Sequence, residues 1–306
     1  MNREKKRLLG LAIALAGLIG LAAQSRAADV ALAPVKAIPA PAAIPSGWSY
    51  RFTPYVWLVS TNGSSTVLGR KTDVDASFLD IVGHSRIPKD LFAVMGYFEA
   101  RNDRLSLFTD VVYQRLAVSG SASRSRSLGP LGIKVGADVG LTFEMATVEA
   151  GAAYELTRWQ SGPGSFTAFD VMAGGRYWWQ KATASLELTG TLNLVDLNVV
   201  GNRAFARSGD ISWIDPFIGG RIRHQFAPGK ELVLTGDVGG FGVGSDFSWQ
   251  VVGAYSWDFA TTGATTWAGV IGYRALFVDY TKGSGFREYA YDILQHGPIV
   301  GVSLRF

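Results

Sequence analysis

The chain has 306 residues, of which 48% are hydrophobic and 18% charged, and it contains no cysteine. Disulfides and thiolate metal sites are therefore excluded. The formal net charge is +4, but residues 1–27 hold five basic side chains and one acidic side chain. Removing them from the totals of 29 and 25 leaves 24 of each sign. This balance takes away the electrostatic basis for nucleic-acid binding.

Residues 1–27 have the layout of a secretory signal peptide. A basic segment at residues 3–7 precedes an apolar run at 8–23, and Ser25 and Ala27 offer small side chains at the −3 and −1 positions of a cleavage site. We expect this segment to be removed on export through the Sec pathway. The alternative, a transmembrane anchor, is disfavoured because the apolar run is short for a bilayer span.

Residues 28–47 are rich in alanine and proline and show no alternation of polar and apolar side chains. They are predicted to form a flexible, partly polyproline periplasmic lead-in. No later stretch is apolar for about 18 residues, so no spanning helix is predicted. In lipid, the remaining way to pair every backbone group is a closed β-barrel, here assigned to residues 48–306.

Alternation of period two dominates the chain from Trp48 onward. In residues 246–259 an aromatic and aliphatic face alternates with a polar and small one, as in a strand between lipid and lumen. Trp249, Trp257 and Phe259 fit an aromatic girdle at the membrane boundary. Residues 104–115 and 214–226 repeat the pattern.

Turn residues divide this region into strands. Short turns are predicted at 101–103, 227–230, 242–245 and 260–263, and longer polar loops at 119–130, 189–208 and 282–289. We expect strands to begin near residues 48, 91, 104, 135, 166, 211, 231, 246, 265 and 287. The fold class is thus all-β, a transmembrane antiparallel up-and-down β-barrel of about ten strands, although eight or twelve would also fit.

Three segments do not fit a simple count of ten strands. Residues 62–88 hold a small hairpin at 64–74 and a short helical segment at 77–82, which cap the barrel or add a strand pair. The apolar positions change from odd to even within 135–159, which predicts a β-bulge near Ala146 or a hidden turn. Residues 166–195 are long for a single span, so this strand is expected to project beyond the membrane.

The last strand, residues 299–306, carries an apolar face that ends on Phe306. This ending is typical of the last strand of a Gram-negative outer-membrane barrel. The expected location is therefore the cell outer membrane. The expected partners are outer-membrane lipids, lipopolysaccharide and the barrel-assembly machinery, which would contact Phe306. The barrel is expected to be a monomer that binds no nucleic acid.

Eight segments resemble a family of uncharacterised proteobacterial outer-membrane β-barrel proteins. They are residues 52–58, 73–81, 98–101, 110–113, 213–221, 236–246, 272–274 and 296–298. The glycine-rich segment 236–246 is the most specific, and the resemblance covers nearly all of residues 48–306. It implies the fold and the membrane but carries no established activity, so it assigns no functional residue.

Function is therefore sought in the lumen, where alternation places many charged side chains. Ten lumen-lining residues are predicted: Glu99, Arg101, Asp110, Asp170, Arg176, Arg221, Arg223, Asp237, Gln250 and Arg274. Asp215 and Arg305 share the same face. A barrel of ten strands is narrow, so these acids and arginines should pair. The expected role is structural, with the lumen plugged by ion pairs, or narrow passage of small solutes.

Two other functions stay open. An outer-membrane lipid hydrolase, of the lipid A deacylase or phospholipase type, would need a serine and a histidine near an acid. Here His84 and Ser85 with nearby Asp80 form the one suggestive group, while His224 and His296 fall on the lipid-facing side. A surface adhesin or anchor would use the loops. No catalytic residue, cofactor or metal is predicted.

Overall fold

The computed structural model describes residues 47–67, 70–79, 91–128, 131–194 and 197–306. The predicted signal peptide, nearly all of the Ala/Pro-rich lead-in, and the group of Asp80, His84 and Ser85 lie outside these ranges. Within them, no helix is long and apolar enough to cross a membrane.

The described residues form one antiparallel sheet that closes on itself. Its strands are β1 Trp48–Trp57, β2 Ser60–Val67, β3 Arg70–Ala76, β4 Leu91–Asn102, β5 Leu105–Leu128, β6 Leu131–Gly162, β7 Ser165–Leu194, β8 Leu197–Ala227, β9 Lys230–Gly239, β10 Phe247–Thr262, β11 Thr265–Lys282 and β12 Tyr289–Arg305. Each strand from β4 to β12 pairs with the next, and β1 pairs with both β4 and β12. Closure removes the free edges that an open sheet would present to lipid.

Twelve strands occupy ten positions around the barrel. Both β1 and β2 pair with β12, β1 through Trp57↔Ile299 and β2 through Ser60↔His296, so they lie end to end. On their other side, β4 pairs with β1 and β3 pairs with β2. The prediction of ten strands is confirmed. The predicted hairpin at 64–74 exists as β2 and β3 and extends the sheet.

The outer face of the barrel is apolar. Large hydrophobic side chains there are exposed, with aliphatic residues in the middle of the band and aromatic residues towards the short turns. They include Val94, Leu107, Val111, Val171, Ile218, Leu234, Ile271, Val300, Trp48, Trp159, Phe226, Trp257, Phe259 and Phe306. A closed sheet with this exterior is a transmembrane β-barrel. Trp249 departs from the predicted girdle: it stacks on Phe277 and is buried.

Strand length differs greatly around the barrel. β9 has 10 residues, whereas β5 to β8 have 24, 32, 30 and 31. A tilted strand crosses a membrane in about 9–11 residues, so these four strands run far beyond the band, as predicted for residues 166–195. The loops predicted at 119–130 and 189–208 are wrong, because β5 pairs with β6 and β7 with β8 through nearly all of these residues.

The bulge or hidden turn predicted near Ala146 is also wrong. The pairing of β6 with β5 continues without a shift from Tyr154 to Leu131, and shifts occur only against β7, at Glu155/Thr157 and Gln160/Gly162. Odd residues face the lumen from Met145 to Glu155, as the buried Met145 and Glu149 show, and the order changes only after the shift at Glu155/Thr157. The sequence pattern changed because the lumen itself changes from charged to apolar at this height.

Candidate functional site: the barrel lumen

The structure places all ten predicted lumen residues, with Asp215 and Arg305, on the inner face. All but two of these twelve side chains are nearly inaccessible to solvent, the exceptions being Arg101 and Arg305, and they come from β4, β5, β7, β8, β9, β10, β11 and β12. Alternation fixes this placement, because one face of every strand must meet lipid. Apart from Asp215 and Arg305, the side chains fall into two ion-pair layers separated by an apolar waist.

The lower ion-pair layer lies near the short turns and contains Arg51, Glu99, Arg101, Glu155, Arg158, Asp170, Arg221, Arg223 and Glu231. Asp170 accepts hydrogen bonds from Arg221 Nε at 2.7 Å and from Arg223 Nε at 2.9 Å. Arg223 Nη2 also reaches Glu155 Oε2 at 2.6 Å. Five arginines thus meet four carboxylates within a low-dielectric lumen, where charge-assisted hydrogen bonds are strong.

Arg221 links strands on opposite sides of this layer. It donates to Glu99 Oε1 at 3.0 Å and to Ser106 Oγ at 3.2 Å, across 122 and 115 residues of sequence. Glu155 binds three arginines, because Arg101 and Arg158 each approach its carboxylate within 2.7 Å. These bonds join β4, β5, β6, β7 and β8 and fix their relative register.

The apolar waist above this layer is built from aromatic rings lying against glycines. Phe108 and Phe217 lie 6.4 Å apart between ring centroids and are buried with Met172 and Ala153. A Cβ at Gly151 would lie 2.8 Å from Phe108 Cζ, and a Cβ at Gly174 would lie 2.7 Å from Phe217 Cζ. Only glycine leaves room for the rings at these two positions.

The upper ion-pair layer contains Tyr55, Asp110, Glu149, Arg176, Asp237, Gln250 and Arg274. Arg176 Nε donates to Glu149 at 2.8 Å, and its Nη2 donates to both oxygens of Asp237, at 2.9 and 3.1 Å. Arg274 Nη1 lies 2.5 Å from Asp110 Oδ2, and its Nη2 lies 3.0 Å from Glu149 Oε1. Two arginines therefore meet three carboxylates, which offsets the excess cation of the lower layer.

Several members of these layers were missed by sequence reasoning. Glu149 and Glu155 were hidden by the misplaced bulge in β6. Arg51 could have been found, because Tyr50, Phe52 and Val56 alternate with it and are exposed on the lipid face. Tyr55 and Tyr97 were not among the predicted residues, although their hydroxyls donate to Asp110 and Glu99 at 2.8 and 3.0 Å.

An apolar layer closes the lumen above the upper ion pairs. Its buried members include Trp57, Met95, Val112, Met145, Trp178, Trp213, Leu276, Val278, Tyr280, Tyr291, Ile293 and Ile299. Trp213 stacks on Trp178 at 5.5 Å and on Tyr280 at 4.0 Å between ring centroids. Packed aromatic side chains of this size leave little room for water.

Asp215 binds the turn at 242–245 to this apolar layer through hydrogen bonds. Its carboxylate accepts hydrogen bonds from Trp178 Nε1 at 3.0 Å, Trp213 Nε1 at 3.3 Å and the backbone N–H of Ser245 at 2.6 Å. Gly244 allows the close approach, since a Cβ there would lie 2.6 Å from Asp215 Oδ1. The predicted turn at 242–245 is therefore present, and it folds onto β8.

A cavity remains between the two ion-pair layers. Its volume is ≈ 170 Å³, enough for roughly six water molecules. Charged and aromatic side chains of β4 to β8 form one wall. Small side chains form the other, namely Val233, Thr235, Val252, Ala254, Ser256, Val270 and Ser303.

The histidines of the described residues lie away from the lumen carboxylates. The described residues contain no group of three or more histidine, aspartate and glutamate side chains placed to hold a metal. His224 and His296 lie on the outer face, where their Nδ1 atoms pair with Thr167 Oγ1 at 2.8 Å and Tyr273 Oη at 2.7 Å. Neither histidine contacts a lumen carboxylate.

Comparison with known proteins adds only weak likenesses. No protein-family model and no curated protein sequence matches this chain, so the resemblance noted in the sequence stays a prediction. Among solved structures, the outer membrane protease OmpT from Escherichia coli gives a TM-score of 0.35 at 9% identity, covering 87% of this chain and 99% of its own. The attachment invasion locus protein Ail of Yersinia pestis gives a TM-score of 0.30 at 10% identity, and the match covers 85% of this chain and 99% of Ail. Neisserial surface protein A gives a TM-score of 0.28 at 9% identity, and the match covers 85% of this chain and 98% of that protein. The fold assignment rests on the closed sheet and its apolar exterior.

Proposed function

We propose that this protein is a monomeric, plugged outer-membrane β-barrel that anchors a projecting β-sheet at the cell surface. Its lumen is structural and carries no current at rest. In this proposal residues 1–27 direct export through the Sec pathway and are then removed.

The ion pairs and packed rings that block the lumen are the observation that supports this proposal. Each arginine of the two ion-pair layers meets at least one carboxylate within 3.0 Å. Above them lies the apolar layer, in which Trp178, Met145 and Ile293 are at most 1% exposed. A hydrated ion would have to break buried ion pairs and then cross a dry aromatic layer, and both steps are costly.

The unequal strand lengths support the anchoring role. β8 residues 197–216 pair with β7 and have no partner on β9, which begins to pair at Phe217↔Gly239. β6, β7 and β8 have 32, 30 and 31 residues, about 20 more than a tilted strand needs to cross a membrane. Short turns face the periplasm and long extensions the exterior in barrels of this kind, so we orient the projecting sheet outward.

The proposed partners follow from the same surfaces. The exposed aliphatic band would contact acyl chains, and lipopolysaccharide would surround it on the outer side. Phe306 stacks on Tyr50 with ring centroids 5.7 Å apart, and its ring points outward beside the β1–β12 seam. This position suits recognition by the barrel-assembly machinery before the seam closes.

Planar-bilayer recording tests the plugged lumen. Residues 28–306 would be refolded, verified by heat-modifiable migration and flotation with vesicles, and recorded beside an Arg221→Ala/Arg223→Ala variant. The control variant, Arg104→Ala/Lys230→Ala, removes the same charge from two exposed turn positions. We expect the wild type to be silent.

Discrete ion-selective steps in the wild type would contradict the plugged lumen. If those steps shift in the Arg221/Arg223 variant and not in the control, the narrow solute passage becomes the better function. Lipid hydrolysis by silent wild type, lost on Ser85→Ala, would instead identify a hydrolase.

A further inference from the structure

The cavity between the ion-pair layers is lined on one side by small side chains. Ala254, Ser256 and Ser303 face the opposite wall across ≈ 170 Å³. An interior void of this size weakens a fold, since it forfeits dispersion contacts.

The charges around the cavity argue against a charged occupant. Its four arginines are all engaged with carboxylates, in the pairs Arg51–Glu231, Arg221–Glu99, Arg223–Asp170 and Arg274–Asp110. Counted over both layers, seven arginines meet seven carboxylates. An anion or cation would gain attraction only by displacing a buried partner, which leaves another charge uncompensated.

Polar atoms without partners point to a neutral, hydrogen-bonding occupant. Gln250 Oε1 and Arg274 Nε lack a hydrogen-bond partner among the described residues, and their side chains are only 4% and 2% exposed. One is an acceptor and the other a donor, and both residues line the cavity. Buried atoms of this kind are normally satisfied by water or a ligand.

We propose that the cavity is a binding site for a small neutral polyol of about the size of glycerol. Its hydroxyls would donate to Gln250 Oε1, accept from Arg274 Nε and meet the hydroxyls of Thr235 and Ser256. Its carbon atoms would lie against the ring of Phe108. A cavity of ≈ 170 Å³ has room for a molecule of this size.

The site opens towards the short turns. Side chains at that end are partly exposed, with Arg51 and Arg158 each at 27%, whereas Arg274 on the far side of the cavity is at 2%. The apolar layer blocks the other end. The polyol therefore enters and leaves from the same side, so the site does not depend on conduction and stands apart from the proposed anchoring role.

Saturation-transfer NMR on the protein in lipid nanodiscs tests the site. The probes are glycerol and erythritol, with acetate and methylammonium as charged probes of comparable size and empty nanodiscs as background. We expect transfer to the two polyols. Thr235→Val keeps the side-chain shape but removes a hydroxyl, and one hydrogen bond of about 1 kcal/mol corresponds to a roughly fivefold loss of affinity.

A matched pair of variants locates the signal. Ala254→Phe fills the cavity, and Ala150→Phe places the same ring on the exposed outer face. We expect the polyol signal to vanish in the first variant and to persist in the second, with both folded by heat-modifiable migration. Polyol transfer no greater than in empty nanodiscs, equal transfer in both variants, or equally strong transfer to the charged probes would overturn the proposal. Should Ala254→Phe not fold, an unchanged affinity in Thr235→Val would overturn it.

Discussion

The two ion-pair layers use the same chemistry in different surroundings. In the upper layer, Arg176 and Arg274 are 0% and 2% exposed, and their carboxylate partners are almost as buried. In the lower layer, Arg51 and Arg158 are 27% exposed. Water can therefore replace a lost partner at Arg51 and Arg158, on the rim of the lower layer, but not in the upper layer. The contrast shows that depth, more than the number of ion pairs, decides how strongly each pair constrains the barrel.

The largest effect is expected from Arg176→Leu. This change removes the cation shared by Glu149 and Asp237 and leaves the upper layer with three carboxylates and one arginine. It also removes the contact of the guanidinium with the Phe217 ring, 5.2 Å from the centroid. We expect the free energy of unfolding in denaturant to fall by about 3–5 kcal/mol.

A double variant tests whether uncompensated charge is the cause. Arg176→Leu/Asp237→Leu restores the net charge of the upper layer, so it should be more stable than Arg176→Leu alone. A coupling free energy near zero in this double-mutant cycle would show that packing, and not charge, accounts for the loss.

A smaller effect is expected at the waist that separates the two layers. Gly174→Ala forces its new methyl group against Phe217, whereas Gly175→Ala faces outward with its nearest contact 3.8 Å away, at Ile214. We expect a loss of about 1–3 kcal/mol for Gly174→Ala, since overpacking displaces a buried ring. Gly175→Ala, the same change one residue along, should alter stability little. Equal thermal shifts in the two variants would mean that the waist tolerates added volume.

The smallest effect is expected from Arg158→Leu at the rim of the lower layer. Glu155 keeps Arg101 and Arg223 as partners at 2.7 and 2.6 Å, and solvent reaches the site. We expect a loss of about 0.5 kcal/mol or less in the same unfolding experiment, diminished further by salt. A loss of unfolding free energy as large as that of Arg176→Leu would contradict the expected difference between the two layers.

Sequence alone reached most of the fold. Alternation along β8 and β10 identified which side chains face lipid and which face the lumen, because a strand between two solvents must alternate. It failed in β6, where Met145 and Glu149 share one face. When the inward-facing side chains of a strand change from apolar to charged, the sequence pattern is the same as that of a β-bulge, which exchanges the two faces of the strand.

The sequence also misjudged the projecting strands. The serines of β5 between 119 and 127, together with Gly120, suggested a loop, because such residues favour turns. They form strand because β6 supplies a continuous pairing partner. Strand pairing depends on a neighbour distant in sequence, so local composition cannot decide it.

What the sequence by itself determined is the number of strands and much of the inward-facing set, since both follow from a local period of two and from turn residues, but Arg51, Glu149 and Glu155 were not identified. The tertiary structure decided which arginine pairs with which carboxylate. Arg221 meets Glu99 across 122 residues, and Arg176 meets Asp237 across 61. Only barrel closure and strand register bring these groups to the same height along the barrel axis. The height of each side chain decides whether it lies in a buried network, beside the cavity or at the exposed rim.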